Sequence, residues 1–383
     1  MSMKIRLLMI NRQQEKYIKK RVEELESIRG LAALLVVFFH IPEWNTILDI
    51  GIINNGYLMV DLFFVLSGYV IYSSYSEKIT SISDLFHFQF LRFGRLYPVH
   101  FIFLVVFIFF EIAKYIAHYK FGIISPNSQP FLENNPTAIF QQIFLVQSFT
   151  ENYATFNGPA WSISVEFFTY LIFGISILIF KKKKDLFFSL LAIVSFVLLV
   201  TKTTFGLDIL LRSLTGFSIG CITAFFIKGQ KTNISKYVSL LIFVSIVIFL
   251  QLKTTELYDA AIYFLSAALI VSLMLSKDGY LNYILNSKVL IWLGSISYAI
   301  YMSHAAILWA INQAIRLIFK KPEIILISGS STPQLNKAET LIALVFIILI
   351  VLSVSAFVYR FVEKPWREKS RRYISKIKLT QQN

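Results

Sequence analysis

Residues 26–40 read ESIRGLAALLVVFFH, an apolar run that carries an acid, an arginine and a histidine. An ionised group at the centre of a membrane helix costs about 2.5–3.5 kcal/mol on insertion scales, so such residues are candidates for function. Arg29 and His40 lie on nearly the same face of one helix, about 16 Å apart along its axis. The alternative is an arginine that reaches the membrane surface and a histidine that bonds a neighbouring helix.

Apolar residues dominate the rest of the chain, since 56% of its 383 residues are hydrophobic and 15% are charged. A soluble domain is about a quarter charged. Runs of 18 or more apolar residues recur from end to end, so we predict an all-α, polytopic membrane protein with no separate soluble domain. The ten predicted transmembrane spans are 28–44, 57–75, 97–118, 161–180, 186–201, 209–227, 237–252, 259–275, 289–310 and 339–361.

The net charge of +15 lies mainly in alternate loops and at the two ends of the chain. By the positive-inside rule this distribution predicts both termini in the cytoplasm, and it argues against nucleic acid as a partner. We predict a cytoplasmic N-terminal segment (1–27) that is not a cleaved signal peptide, a transmembrane core (28–363) and a basic cytoplasmic tail (364–383). Residues 84–97 suit a helix in the cytoplasmic interface, and the outer loop 319–338 is predicted to be polar and mobile.

The second span contains the stretch VDLFFVLSGYVIY at residues 60–72. We predict Asp61 at its outer end, either as a functional acid or as an ordinary interfacial one. Ser67 and Gly68 are small enough to let another helix approach closely, and packing is the simplest role for Ser67.

Two arginines lie three residues apart in RFGRLYP, residues 92–98. This spacing puts Arg92 and Arg95 on adjacent positions of one helix face. Paired guanidinium groups suit the bidentate binding of phosphate. A positive anchor at the cytoplasmic edge of the membrane is the alternative.

The fourth span opens with WSISVEFF, residues 161–168. Trp161 is typical of a membrane interface. Glu166 lies further in, among apolar residues, where an ionised carboxylate needs a partner. Even a purely structural ion pair with an arginine or histidine would place a polar interior between the first and fourth helices.

The ninth span contains SISYAIYMSH, residues 295–304. Its spacing places Tyr298, Tyr301 and His304 on one helix face, and packing between helices is the ordinary role for His304. Glu363, at the end of the last span, is predicted to be mainly structural. The single cysteine and the lack of HExxH and P-loop motifs predict neither a metal site nor an ATP site.

Together these blocks resemble the acyltransferase-3 family of integral membrane enzymes, which O-acylate cell-surface polysaccharides and related glycans. The resemblance rests on IRGLAALLVVFFH (28–40), DLFFVLSGYVI (61–71), RFGRLYP (92–98), WSISVEFF (161–168), SISYAIYMSH (295–304) and VEKP (362–365). It covers nearly the whole chain and implies a core of ten helices. Some members carry a hydrolase-like domain after this core, which we expect to be absent because the sequence stops soon after Glu363.

The resemblance also implies roles for individual residues. The family's catalytic pattern of an arginine, ten residues and a histidine falls on Arg29 and His40. Glu166 and Glu26 would be helper carboxylates, although Glu26 stands where the family commonly has an aspartate and Phe167 replaces a second acid. The paired arginines, Arg92 and Arg95, would bind acyl-CoA. We expect supporting roles for Asp61, Ser67, Trp161, Ser164, Tyr298, Tyr301 and His304.

The implied reaction moves an acyl group, usually acetyl, from cytoplasmic acetyl-CoA to a hydroxyl of a glycan such as exopolysaccharide or lipopolysaccharide. The implied setting is a bacterial inner membrane, with acyl-CoA as a substrate and no bound cofactor. A free alcohol is a poor nucleophile, so we predict that His40 acts as general base or as acyl carrier. A carboxylate, Glu166 or Glu26, would orient its imidazole. Arg29, or a tyrosine or serine of the ninth helix, would stabilise the oxyanion.

A secondary transporter is the rival interpretation. It would use the same buried histidine, glutamate and arginine as a proton relay. Uptake of a solute in the absence of acyl-CoA would favour that rival.

Overall fold

The structure, a computed structural model of the chain, describes residues 23–230, 232–276, 279–326 and 329–382. Most of the predicted N-terminal segment, 1–27, lies outside the described residues. The helices in chain order are α1 (23–39), α2 (Gly51–Asn54), α3 (Met59–Tyr75), α4 (Ile82–Phe121), α5 (Pro136–Ile143), α6 (Trp161–Phe180), α7 (Lys184–Val200), α8 (Asp208–Ile227), α9 (Val238–Leu252), α10 (Ala261–Leu275), α11 (Tyr280–Leu285), α12 (Lys288–Ser295), α13 (Ser297–Leu317), α14 (Lys337–Val358) and α15 (Lys364–Gln382). One antiparallel hairpin, β1 (Glu323–Ile325) and β2 (Ser331–Pro333), lies between α13 and α14.

The predicted all-α membrane fold is confirmed in its main feature, because long apolar helices make up most of the described chain. The hairpin is a departure from this prediction. It lies in the loop 319–338, which we predicted to be polar and mobile. Arg316 at the end of α13 holds the hairpin through an ion pair with Glu323 at 2.7 Å, so this part of the loop has regular structure.

Within the described ranges, six helical segments are long and apolar enough to cross a membrane, and the bent pair of α12 and α13 makes a seventh. The predicted number of ten is larger. Two of the predicted spans correspond to α1 and α9, whose described residues extend over about 25 Å and 23 Å of helix rise, less than the roughly 30 Å of a hydrocarbon core. The spans predicted at α6 and α7 fall within one counted segment, Gly158–Val200. The number ten and the lack of a soluble domain therefore stay predictions.

Two predicted boundaries are wrong. The interfacial helix 84–97 does not end before the third span, because α4 continues through Pro98 as one helix of 40 residues. At about 60 Å it is longer than a bilayer core, so part of it extends beyond the membrane. The predicted ninth span, 289–310, is in turn broken into α12 and α13, which meet at an angle of 66°.

Helices α3 and α8 pack so closely that their glycines touch the opposite backbone. A Cβ added at Gly68 would lie 2.0 Å from the carbonyl oxygen of Phe217, and one added at Gly220 would lie 2.1 Å from that of Val65. The close approach predicted at Gly68 is confirmed. Carbonyl oxygens cannot move aside as a flexible side chain can, so this interface excludes any larger residue.

We expect the substitution Gly220→Ala to destabilise the protein by about 1–3 kcal/mol, because the added methyl group forces α8 away from α3. Thermal unfolding of the purified protein in detergent would show a lowered midpoint. Gly158→Ala is the matched control, because a Cβ at Gly158 would have no neighbour within 4 Å. Equal midpoints for the two variants would contradict the prediction.

Candidate active site

Helix α1 is held against α12 at two glycines. A Cβ at Gly30 would lie 2.7 Å from the backbone nitrogen of Gly294, and a Cβ at Gly294 would lie 2.1 Å from the carbonyl oxygen of Glu26. No side chain fits between the two backbones. The contact therefore fixes Arg29, the neighbour of Gly30, close to the bend between α12 and α13.

Near the start of α1 lies a cavity of about 430 Å³, which we call the arginine cavity. It lies between α1, the end of α3, the first half of α4 and the segment that joins α14 to α15. Its charged lining residues are Glu26, Arg29, Lys78, Arg92, Arg95, Glu363, Arg367 and Arg371. Six basic side chains thus face two acidic ones, which makes the cavity attractive to a ligand with several negative charges.

The two arginines of α4 reach this cavity in different ways. Arg92 is buried, donates a hydrogen bond from Nη2 to the hydroxyl of Tyr75 at 3.1 Å, and lies 5.7 Å from the ring of Phe88. Arg95 is half-buried, and its Nε, like that of Arg92, has no hydrogen-bond partner among the described residues. The structure brings both to one cavity, with Arg95 the less engaged of the two.

A smaller chamber of about 80 Å³, the inner chamber, lies deeper between α3, α6 and α13. Arg29, Arg95 and Tyr298 line both this chamber and the arginine cavity. Glu166 also lines the inner chamber and accepts hydrogen bonds from Ser67 at 3.0 Å and from Tyr170. The predicted polar interior between the first and fourth spans is therefore present.

Neither helper carboxylate pairs with His40 in the described part of the chain. Glu166 is bonded to the hydroxyls of α3 and α6, and Glu26 lines the arginine cavity about 21 Å of helix rise before His40. The hypothesis that one of them orients the imidazole has no support in this geometry. Helix packing aims Glu166 at Ser67 instead.

His40 has a different neighbour, His304 of α13. The two imidazole rings are 4.9 Å apart between centroids. His40 is exposed just after α1 ends, and His304 is fully buried. The pair lies at the opposite end of α1 from the arginine cavity.

Both histidines bond the carbonyl oxygen four residues earlier through Nδ1, His40 that of Val36 at 2.9 Å and His304 that of Ile300 at 3.3 Å. Because a carbonyl oxygen only accepts, we assign the proton of each neutral ring to Nδ1. The Nε2 atom of each ring is then left as an acceptor. The buried Nε2 of His304 has no partner among the described residues.

Other predicted supporting residues have structural contacts. Tyr298 donates to the carbonyl oxygen of Leu96 at 2.5 Å, and Tyr301 donates to that of Pro159 at 2.9 Å. Ser164 donates to the carbonyl oxygen of Leu145 at 2.5 Å. Tyr298 and Tyr301 nevertheless line the inner chamber, and Tyr301 lies beside His304 with 5.8 Å between ring centroids. One face of α13 thus connects the inner chamber with the histidine pair.

Asp61 has a partner that the sequence pattern did not reveal, Arg212 of α8. The guanidinium group donates to both carboxylate oxygens, at 2.8 and 3.2 Å, and Tyr263 donates a third hydrogen bond at 2.9 Å. Arg212 also lies over the ring of Trp161 at 5.3 Å. The position of Arg212 in an otherwise apolar span was the sequence feature that could have identified it as the partner of Asp61.

We expect the substitution Asp61→Asn to destabilise the protein by about 2 kcal/mol, less than the 3–5 kcal/mol typical of a broken buried ion pair, because the side chain of Arg212 is 29% exposed. Thermal unfolding in detergent would measure the change. Asp208→Asn, an exposed acid at the start of the same helix, is the control. An unchanged midpoint for Asp61→Asn would show that the pair contributes little.

The sequence patterns also missed part of the arginine cavity. Glu363 was predicted to be mainly structural, yet it is 3% exposed and lines the cavity. Arg367 lies 4.0 Å from Glu363, and Arg371 follows one turn later. Both were assigned only to a basic tail. Arg367 and Arg371 lie four residues apart on α15, and this spacing in the sequence could have indicated that they share one helix face.

The family model described as "Acyltransferase domain" matches residues 22–360. The chain belongs to the acyltransferase-3 family. This confirms the resemblance inferred from the sequence blocks. No solved structure gives a significant match to this acyltransferase-3 chain.

Several curated proteins are similar to this acyltransferase-3 chain. The peptidoglycan O-acetyltransferase OatA of Listeria monocytogenes is 25% identical over 385 residues, which cover 92% of this chain and 57% of OatA. A Staphylococcus aureus (strain COL) protein, provisionally named an O-acetyltransferase, is 26% identical over 76% of this chain and 52% of its own length. The acyltransferase MdmB of Streptomyces mycarofaciens is 30% identical over 40% of this chain and 38% of MdmB. The chain spans about half the length of the first two relatives.

Proposed function

We propose that this acyltransferase-3 protein transfers an acetyl group from cytoplasmic acetyl-CoA to a hydroxyl of a cell-surface glycan. The observation that carries the proposal is the arginine cavity, in which six basic side chains face two acidic ones. Guanidinium groups suit the phosphates of coenzyme A. The adjoining inner chamber, of about 80 Å³, has space for the acetyl thioester end of the donor.

We assign the arginine cavity to the cytoplasmic side of a bacterial inner membrane, with both termini on that side. The basic helix α15 lies at the same end of the bundle, and its Ser370 packs against Gly94 of α4. Excess basic residues at one end are typical of the cytoplasmic face. The histidine pair then lies toward the opposite face, where the glycan is expected.

In a direct transfer, Nε2 of His40 takes the proton of the acceptor hydroxyl while the hydroxyl oxygen attacks the thioester carbonyl carbon. The new C–O bond forms, the C–S bond breaks, and the imidazolium returns its proton to the leaving thiolate. The hydrogen bond from Nδ1 to Val36 keeps Nε2 free for this role. Arg29 lies about 16 Å from His40 along the helix axis, so we assign the oxyanion to Tyr301 of α13, which lies beside His304 and lines the inner chamber.

In the direct route the pantetheine arm must reach His40, about 16 Å along α1 from Arg29; in an acyl-histidine route His40 itself carries the acyl group between the donor and acceptor sides. Here Nε2 of His40 attacks the thioester carbon, and coenzyme A leaves as the thiolate. The acceptor hydroxyl then attacks the acyl carbon, the C–N bond to His40 breaks, and the free Nε2 of His304 takes the hydroxyl proton. Both routes use Nε2 of His40 as the reacting atom.

Proteoliposomes would test the proposed function. Acetyl-CoA labelled in the acetyl group is supplied on the arginine-cavity side, and tri-N-acetylchitotriose is enclosed as the glycan. Release of coenzyme A together with label on the sugar is the expected result, and label on the protein alone would favour the acyl-histidine route. Solute uptake without acetyl-CoA, with neither release nor label, would instead favour the transporter.

A further inference from the structure

The end of α1 that carries His40 opens onto a second large cavity, which we call the hairpin cavity. It has a volume of about 870 Å³ and lies between residues 38–54, the hairpin β1–β2 and the end of α13. Binding sites for small ligands usually have volumes of about 300–1,000 Å³. The arginine cavity lies at the opposite end of the same helix.

Side-chain hydrogen bonds hold the walls of the hairpin cavity together. Trp44 is buried and donates from Nε1 to the amide oxygen of Asn312 at 2.8 Å. Asn45 donates to the carbonyl oxygen of Leu335 at 3.0 Å. Asn127 bonds both the nitrogen and the carbonyl oxygen of Ser331, at 2.7 and 2.9 Å. These bonds join four separate segments of the chain, so the cavity is formed before a ligand arrives.

The lining of the hairpin cavity has the opposite electrostatic character to that of the arginine cavity. It contains two exposed acids, Glu43 and Asp49, with several amides and hydroxyls, and no described lining residue is basic. The nearby Arg316 is occupied by its ion pair with Glu323. Such a lining repels phosphates and offers acceptors to hydroxyl donors.

The hairpin cavity is next to His40 along the chain, although neither histidine is among the described residues that line it. Phe39 and Ile41, the two neighbours of His40, both line it. Phe39 is half-buried and presents apolar surface on which the C–H face of a sugar ring can rest. The Nε2 atom of His40 is left as an acceptor, so a hydroxyl donor that extends from this cavity to His40 would meet a base.

We propose that the hairpin cavity binds the uncharged sugar unit of the acceptor, with Asp49 and the residues around Thr46 in contact with its hydroxyls. This inference rests on the proposed function and deepens it, because it assigns the acceptor to a site separate from that of the donor. The carboxylate of Asp49 already accepts a hydrogen bond from Asn54 at 2.8 Å. One oxygen of this exposed carboxylate is left for a sugar hydroxyl.

The test measures binding of tri-N-acetylchitotriose, a neutral oligosaccharide, to the purified full-length protein in nanodiscs by equilibrium dialysis without acetyl-CoA. Thr46→Trp fills the cavity from an exposed position, and we expect it to weaken binding by about tenfold or more. Asp49→Asn keeps the shape of the side chain and removes its charge, and we expect it to weaken binding by about threefold to tenfold. Thr203→Trp is the matched control, because Thr203 is exposed and lies outside the residues that line this cavity.

The inference is supported if both cavity variants bind more weakly than the Thr203→Trp control and the KM for acetyl-CoA stays unchanged. It is overturned if the unchanged protein does not bind the sugar, or if both cavity variants bind as the control does. Binding without any acetyl transfer would leave the cavity assignment intact and would contradict the proposed function. Acetyl transfer with an acceptor KM that neither cavity variant changes would support the proposed function and contradict the cavity assignment.

Discussion

Replacement of His40 by alanine is expected to lower the rate of acetyl transfer by about 10²–10⁴-fold, the range typical of general acid–base catalysis. The reason is that His40 is exposed and its Nε2 is the reacting atom in both proposed routes. Rates of labelled acetyl transfer by the two proteins in proteoliposomes would measure the effect. The KM for acetyl-CoA should change little, because His40 lies outside the arginine cavity.

His118→Ala is the matched control for this experiment. His118 lies near the end of α4, where its ring packs against Tyr119, and it lines none of the three cavities described above. Its loss should leave the transfer rate close to that of the unchanged protein. If His40→Ala retained full transfer, His40 would be neither base nor carrier, and His304 and Glu166 would be the next candidates.

The substitution Arg95→Gln is expected to raise the KM for acetyl-CoA by about tenfold to a hundredfold, because a hydrogen bond to a charged group contributes about 1.5–3 kcal/mol. Arg95 is the strongest candidate among the basic residues, since it lines both the arginine cavity and the inner chamber and its Nε is unpartnered among the described residues. Initial rates at varied acetyl-CoA concentration would separate this effect on KM from an effect on kcat.

The control for Arg95 is Arg372→Gln on α15. The side chain of Arg372 is 79% exposed, and its partner is Glu368 at 3.5 Å, outside the arginine cavity. This variant should bind acetyl-CoA as the unchanged protein does. An unchanged KM in Arg95→Gln would mean that the phosphates bind elsewhere, and the arginine cavity would then no longer support the proposed function.

Features that depend on neighbours along the chain could be predicted from the sequence. The apolar runs identified a helical membrane protein, because a helix makes all of its backbone hydrogen bonds within one segment of the chain, as a bilayer requires. The three-residue spacing of Arg92 and Arg95 predicted a common helix face, and both line one cavity. The predicted helix with Arg29 and His40 is confirmed only as far as residue 39, and His40 lies directly after its end. The small size of Gly68 predicted close helix packing.

Contacts between distant segments could not be predicted in this way. Asp61 meets Arg212 across 151 positions, and His40 meets His304 across an even larger separation. Periodicity states which face of a helix a residue occupies, but it does not state which other helix covers that face. For the same reason Glu166 was assigned to His40, although the packing of α6 against α3 turns it toward Ser67.

The two large cavities depend on tertiary structure for the same physical reason. The arginine cavity forms because α15 folds back against α4 and brings Arg367 and Arg371 to the arginines of α1 and α4. The hairpin cavity forms because Trp44 bonds Asn312 of α13. The sequence identifies residues whose chemistry suits a site, and the long-range packing of the helices determines which of these residues share one.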